Sequence, residues 1–151
     1  SDKYASCFGF SEEEVFAAVE RVKGECAQLG QKIADKQKEI FTYKVKEIDK
    51  GEGITCLFEE ALEGDGGRSL MNLALEAGVE VCAVFWKSEK DGAYRYCIGS
   101  ARKDVRDLGK ALNMRFQGRG GGKAEMVQGS LMGEEKDLRE WMRKESGEWL
   151  R

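Results

Sequence analysis

Residues 11–41 constrain the fold most, because an apolar side chain recurs there every three or four positions. The apolar positions are Val15, Val19, Val22, Cys26, Leu29, Ile33 and Ile40. They are separated by steps of four, three, four, three, four and seven residues. This spacing predicts a helix with a heptad seam, interrupted where Lys36 takes a seam position. Ser11 followed by Glu14 predicts a capping box at the helix start.

The length of this helix raises the question of what covers its seam. About 30 residues at 1.5 Å rise make a rod of roughly 45 Å, longer than a compact domain of this size needs for its own core. We therefore expect part of the rod to protrude or to meet a partner. The alternative is that the seam packs only on its own domain. We divide the chain into residues 1–50, a coiled-coil-like association helix, and residues 51–151, a glycine-rich α/β domain.

The apolar pattern after residue 50 predicts a small sheet with helices on it. We predict strands at residues 54–62, 79–86, 93–100 and 126–131, and helices at residues 68–77, 104–116 and 134–150. Residues 79–86 are nearly continuously apolar, which predicts the central strand with both faces covered. Residues 42–49 fit either a strand or a continuing helix. The expected fold class is α/β (α+β), a long N-terminal helix followed by a small mixed β-sheet flanked by helices.

A hairpin turn is expected at Asp91-Gly92, between the second and third strands. A turn centred there places Trp86 opposite Cys97 and Cys82 opposite Ala101. That register excludes a disulfide between Cys82 and Cys97.

The composition limits the kinds of metal site and catalytic site that the chain can contain. The chain has five cysteines without a C-x-x-C pair and no histidine, which excludes the usual zinc cages and the Ser/His or Cys/His nucleophiles. We expect no catalytic residues, no metal and no cofactor. Cysteines within apolar runs are typical of core residues in a reducing compartment, so we expect a cytoplasmic protein. No apolar run approaches the roughly 20 residues that span a bilayer, so no membrane partner is expected.

The least generic segment is glycine-rich and spans residues 117–131. Successive glycines can turn several backbone N–H groups toward one point, and such a nest binds anions. The spacing is neither G-x-G-x-x-G after a strand nor G-x-x-x-x-G-K-[ST], so a nucleotide-binding loop is a poor match. A flexible or closely packed turn is the structural alternative.

Basic residues cluster around these glycines. Between residues 101 and 125 there are seven basic and three acidic residues, although the whole chain has a net charge of −3. The spacing of Lys103, Arg106 and Lys110 places them on one helical stripe. A stripe directed at a glycine nest predicts a phosphate-binding track, and a solvated helix face is the alternative. The candidate nucleic-acid contacts are Lys103, Arg106, Lys110, Arg115, Arg119, Lys123 and the glycines Gly120, Gly121 and Gly122.

The motif Gly120-Gly121-Gly122-Lys123, followed by Glu125-Met126-Val127-Gln128-Gly129, resembles a family signature. That family is the C-terminal glycine-rich (DHHA1-type) domain of alanyl-tRNA synthetases, alanyl-tRNA editing proteins and some DHH-type phosphoesterases. The resemblance covers most of the chain and adds Gln128 to the candidate site. It implies binding of tRNA, specifically tRNA(Ala), in support of editing, and a homodimer formed through the N-terminal helix. The start at Ser1, without Met, suggests a fragment of such a protein.

The sequence also departs from that family. Editing members hold zinc with histidines and a cysteine in a separate domain, and this chain has no histidine. Lys123 follows the glycines where the phosphoesterases usually have a histidine, and Ser130 stands where many synthetases have glycine. The editing-protein branch is therefore the closer fit. Two alternatives remain: a helical dimerisation module with a purely structural glycine loop, and a magnesium enzyme using Glu59, Glu60, Glu63 and Asp65.

Overall fold

The computed structural model describes residues 9–151 and confirms the predicted α+β fold; Cys7 lies outside this range. The elements are α1 (Glu12–Lys46), β1 (Ile54–Glu59), α2 (Gly66–Glu76), β2 (Val81–Lys87), β3 (Tyr94–Ser100), α3 (Arg106–Arg115), β4 (Arg119–Lys123), β5 (Met126–Leu131), α4 (Glu135–Lys144) and a 3₁₀ turn (Ser146–Trp149). Each predicted helix and strand has a counterpart, and β4 is an additional strand formed by the glycine segment.

Helix α1 begins at the predicted capping box. The Ser11 backbone N–H donates to Glu14 Oε2 at 2.8 Å, and the Glu14 backbone N–H donates to Ser11 Oγ at 3.2 Å. The helix continues to Lys46, which settles the ambiguity at residues 42–46 in favour of helix. Phe41 and Val45, one turn apart, are buried in the core, so tertiary packing explains the extension.

The chain divides between Glu39 and Ile40 into two compact units. In the first unit, the apolar seam of α1 is exposed to solvent. Its exposed members there are Val15, Val19, Val22, Cys26, Leu29 and Ile33. Within this unit the seam is therefore an exposed apolar helix face.

The second unit is built on one five-stranded sheet with the order β1-β2-β3-β5-β4. Strands β1 and β2 are parallel, and the other neighbours are antiparallel. Residues 81–85 of β2 are buried, as the continuous apolar run predicted. The position predicted for β2 is wrong, because β3 is the central strand and β2 lies between it and β1.

The predicted register of the β2–β3 hairpin is also wrong. Trp86 pairs with Arg95, and Cys82 pairs with Gly99. The Ser88 backbone N–H donates to the Ala93 carbonyl at 2.8 Å, which leaves residues 89–92 as the loop. The loop is thus centred one residue earlier than expected, and every pair shifts by two positions. Cys82 and Cys97 are both buried free thiols and do not face each other.

Helices cover the two faces of the sheet unequally. On one face, here called the α2 face, helix α2 packs against β2 and β3 around Cys82, Val84 and Cys97. On the opposite face, the α3 face, helix α3 packs against β4 and β5. The α3-face core includes Tyr96, Leu108, Leu112, Val127 and Leu138. On the α2 face, the side chains of β4 and β5 are consequently partly or fully exposed.

Candidate nucleic-acid interface

The glycine segment forms the edge strand β4 of the sheet. Arg119–Lys123 pairs antiparallel with β5 and all its residues are exposed. The prediction of an anion-binding nest in this segment is wrong. The backbone N–H groups of an extended strand point alternately to its two sides, so they do not converge on one anion. One side of this strand pairs with β5, and the other is a free sheet edge in the described chain.

Close packing explains two of these glycines. Gly120 pairs with Gly129, and its φ of +156° is a conformation that other residues rarely adopt. A Cβ on Gly120 would lie 2.2 Å from the Gln128 carbonyl oxygen and 2.9 Å from Tyr96 Oη. A Cβ on Gly129 would lie 2.2 Å from the Arg119 carbonyl oxygen. The two backbones approach so closely that only glycine fits at this pair.

A hydrogen bond holds the Tyr96 side chain in place beneath these two glycines. Tyr96 Oη donates to Asn113 Oδ1 at 2.9 Å, which links β3 to α3.

Gly121 differs from its neighbours, since a Cβ there would have no atom within 4 Å. The surface above Gly121 is therefore open.

The predicted site residues fall into two groups on opposite faces of the sheet. Lys103, Arg106, Lys110 and Arg115 lie on or beside α3. Strand alternation and register place Arg119, Gly121, Lys123 and Gln128 on the α2 face, whereas Gly120 and Gly122 lie on the α3 face. The structure therefore does not bring Arg106 and Arg119 together, contrary to the single track predicted from the sequence.

The cations on or beside α3 offer less unpaired positive charge to an anion than the sequence suggested. Arg106 donates from Nε to Asp104 Oδ1 at 3.0 Å and from Nη2 to Asp104 Oδ2 at 2.6 Å. These hydrogen bonds lower the pKa of Asp104 to about 2, so the carboxylate offsets the Arg106 charge. Lys103 is half-buried. Lys110 and Arg115 remain as exposed cations, and the Arg115 guanidinium lies 4.8 Å from the centre of the Phe116 ring.

The strand group has neighbours that sequence reasoning missed. Ser130 of β5 pairs with Arg119 on one side and with Arg95 of β3 on the other. These three residues form one row across the α2 face. Arg95 was missed because only the strand order β3-β5-β4 places it near the glycine strand, and Ser130 had been noted only as a departure from the family pattern.

The acidic alternative gains no support from the geometry. Among residues 9–151, no group of three or more His, Cys, Asp or Glu side chains is placed to hold a metal ion. Glu59 instead accepts a hydrogen bond from Lys44 Nζ at 2.5 Å. No described helix is both long and apolar enough to cross a membrane.

Sequence comparison finds no matching protein-family model and no matching curated protein. Solved structures do match. The C-Ala domain from Aquifex aeolicus alanyl-tRNA synthetase superposes with a TM-score of 0.50 at 17% identity, covering 63% of this chain and 96% of that domain. The chain shares its fold with a C-Ala domain. The pGpG-specific phosphodiesterase PggH from Vibrio cholerae is a more distant match, with a TM-score of 0.45 at 15% identity, covering 70% of this chain and 37% of PggH.

Proposed function

We propose that this chain is a tRNA-binding domain of an alanyl-tRNA synthetase or alanyl-tRNA editing protein, with no catalytic centre of its own. In that role it binds tRNA(Ala) in the cytoplasm and supports an editing site located elsewhere in the protein. The fold shared with a C-Ala domain supports this proposal. The observation that carries it is the exposed strand β4, in which Arg119 and Lys123 form no ion pair with residues 9–151.

Cations without carboxylate partners are suited to RNA phosphates. Binding that neutralises phosphates releases counterions, and the logarithm of the affinity then falls linearly with the logarithm of salt concentration. If Arg119 and Lys123, which share the α2 face, each neutralise one phosphate, the slope is roughly −1 to −2. The chain carries a net charge of −3, so such binding depends on the local patch.

A salt titration with a tRNA(Ala) transcript tests this function. The wild-type chain should bind at low salt with that slope, and Arg119→Glu or Lys123→Glu should weaken binding at least about tenfold. Lys136→Glu and Arg143→Glu are matched controls, because they make the same charge change at exposed positions on α4. No binding at low salt, or equal losses in the controls, would contradict the proposal. Equal affinity for a different tRNA would leave RNA binding standing and contradict the tRNA(Ala) assignment.

A second candidate function, self-association, is favoured by the exposed seam of α1. Its valines, leucine and isoleucines, including Val22 and Leu29, are 39–65% exposed, and pairing two such seams in a coiled coil would remove them from water. The dimer should weaken with Val22→Glu or Leu29→Glu and persist with Ala27→Glu, which lies off the seam. Sedimentation at two concentrations measures this, and a monomer at both concentrations would exclude the homodimer.

A further inference from the structure

A row of three polar residues crosses the exposed part of the α2 face. Arg95 in β3 pairs with Ser130 in β5, and Ser130 pairs with Arg119 in β4. Neighbouring strands are about 4.8 Å apart, which places the Cα atoms of the two arginines roughly 10 Å apart. Both long side chains belong to the same face as the Ser130 hydroxyl, so their guanidinium groups can reach one anion above it.

The surface beside this row is open and polar. The next row contains Gln128, which is exposed, and Gly121, whose missing side chain leaves free space. Helix α2 packs against β2 and β3, so the row lies at the border of its cover. Arg68 of α2 adds positive charge here. Burial raises the pKa of the Cys97 thiol to about 11, and the Arg68 guanidinium partly opposes that rise.

Arg95 already forms an ion pair with Asp91, and breaking that pair would cost little stability. Arg95 Nη2 donates to Asp91 Oδ2 at 3.0 Å, and the two side chains are 33% and 52% exposed. Surface ion pairs of this kind contribute little to stability, because water screens both charges. A guanidinium also has five N–H donors, so Arg95 can bind an anion with or without releasing Asp91.

We propose that Arg95, Ser130 and Arg119 bind one phosphate group, and that this group is a phosphodiester of RNA. Arginine is suited to this because its planar donors match phosphate oxygens in pairs, and the serine hydroxyl supplies a further donor between the two arginines. The RNA part of this assignment rests on the proposed function. The site also selects which side of the glycine hairpin faces RNA, namely the α2 face.

A double-mutant cycle tests whether the two arginines share one phosphate. Arg95→Gln and Arg119→Gln should each weaken tRNA binding about tenfold and reduce the salt slope by about one. The double variant should lose little more than the stronger single variant, because one contact is removed in each case. Ser130→Ala should weaken binding less, and Arg143→Gln should have no effect. Additive losses, near a hundredfold, with a slope reduced by two, would overturn the shared site.

A second measurement separates failure of this site from failure of the proposed function. Inorganic phosphate is titrated into the wild-type chain while the backbone amide NMR signals of Gln128 and Ser130 are followed. Shifts that disappear in Arg95→Gln support the site even if tRNA does not bind, in which case RNA is the wrong source of the phosphate. If tRNA binds the wild-type chain, and Arg95→Gln and Arg119→Gln keep the same tRNA affinity as Arg143→Gln, the site is refuted and the proposed function stands. If neither tRNA nor phosphate binds, both are refuted. Urea unfolding of each variant confirms that the fold is retained.

Discussion

Gly120→Ala should destabilise the fold and Gly121→Ala should not, although the two residues are adjacent in β4. A Cβ at Gly120 meets the backbone of β5 at 2.2 Å, and the residue has a φ of +156°. A Cβ at Gly121 meets no atom within 4 Å. Because both substitutions add one Cβ to the same strand, a difference between the two variants reports the close packing and the backbone conformation at Gly120.

The magnitudes follow from these two environments. Overpacking a rigid site costs about 1–3 kcal/mol, and holding a non-glycine residue in a sparsely populated backbone region costs about 1–3 kcal/mol. Gly120→Ala should therefore lower the free energy of unfolding by about 2–6 kcal/mol. At Gly121, alanine should be neutral or stabilise by up to about 1 kcal/mol, because it restricts the unfolded chain. At about 2–4 °C per kcal/mol for a chain of this size, Tm should fall by roughly 4–24 °C in the first variant only.

Thermal and urea unfolding followed by circular dichroism measure both variants against wild type. Equal destabilisation by the two substitutions would refute the close-packing account, because Gly121 has no neighbour to strike. An unchanged Tm in Gly120→Ala would refute it as well.

Other consequences concern the thiols, the α2 helix and the start of α1. Alkylation of the native chain should modify exposed Cys26 quickly and leave buried Cys82 unmodified, as mass spectrometry can show. Burial raises the pKa of Cys82 from 9.0 to about 12, so its neutral thiol is favoured in the fold; the urea midpoint should hold below pH 9 and fall as the pH rises towards 12. Gly67→Ala should cost about 1–3 kcal/mol and shift Trp86 fluorescence, because the added Cβ lies 2.3 Å from that ring; an unchanged spectrum and stability would contradict this contact. Ser11→Ala should speed amide exchange at Glu14, because it removes the capping acceptor.

The helices could be predicted because their signals are local. Ser11 and Glu14 form the expected capping box, and Gly78, with a φ of 105°, follows the end of α2 where the sequence placed a stop. Val105, Leu108 and Leu112, spaced three and four residues apart in the predicted helix 104–116, are fully buried, as one face of an amphipathic helix should be. Periodicity suffices for such elements because neighbouring turns of one helix share a face.

The glycine strand and the site geometry could not be predicted in the same way. Glycine is depleted in strands, so nothing local indicates that Gly120 belongs to one. Its conformation depends on Gly129 in the partner strand of the hairpin and on Tyr96 in β3, and neither contact shows in the local sequence pattern. The grouping of cations depends on the face of the sheet that each element occupies. Arg95 and Arg119 share a row across β5 only because the strand order is not sequential.

Hydrogen–deuterium exchange of the chain with and without tRNA(Ala) tests most directly whether the β4–β5 hairpin is the RNA surface. The account predicts slower exchange in residues 119–131 of the complex and unchanged exchange in α4, which carries the control cations Lys136 and Arg143. Bound tRNA that leaves residues 119–131 unaffected, or that protects α4 instead, would contradict it.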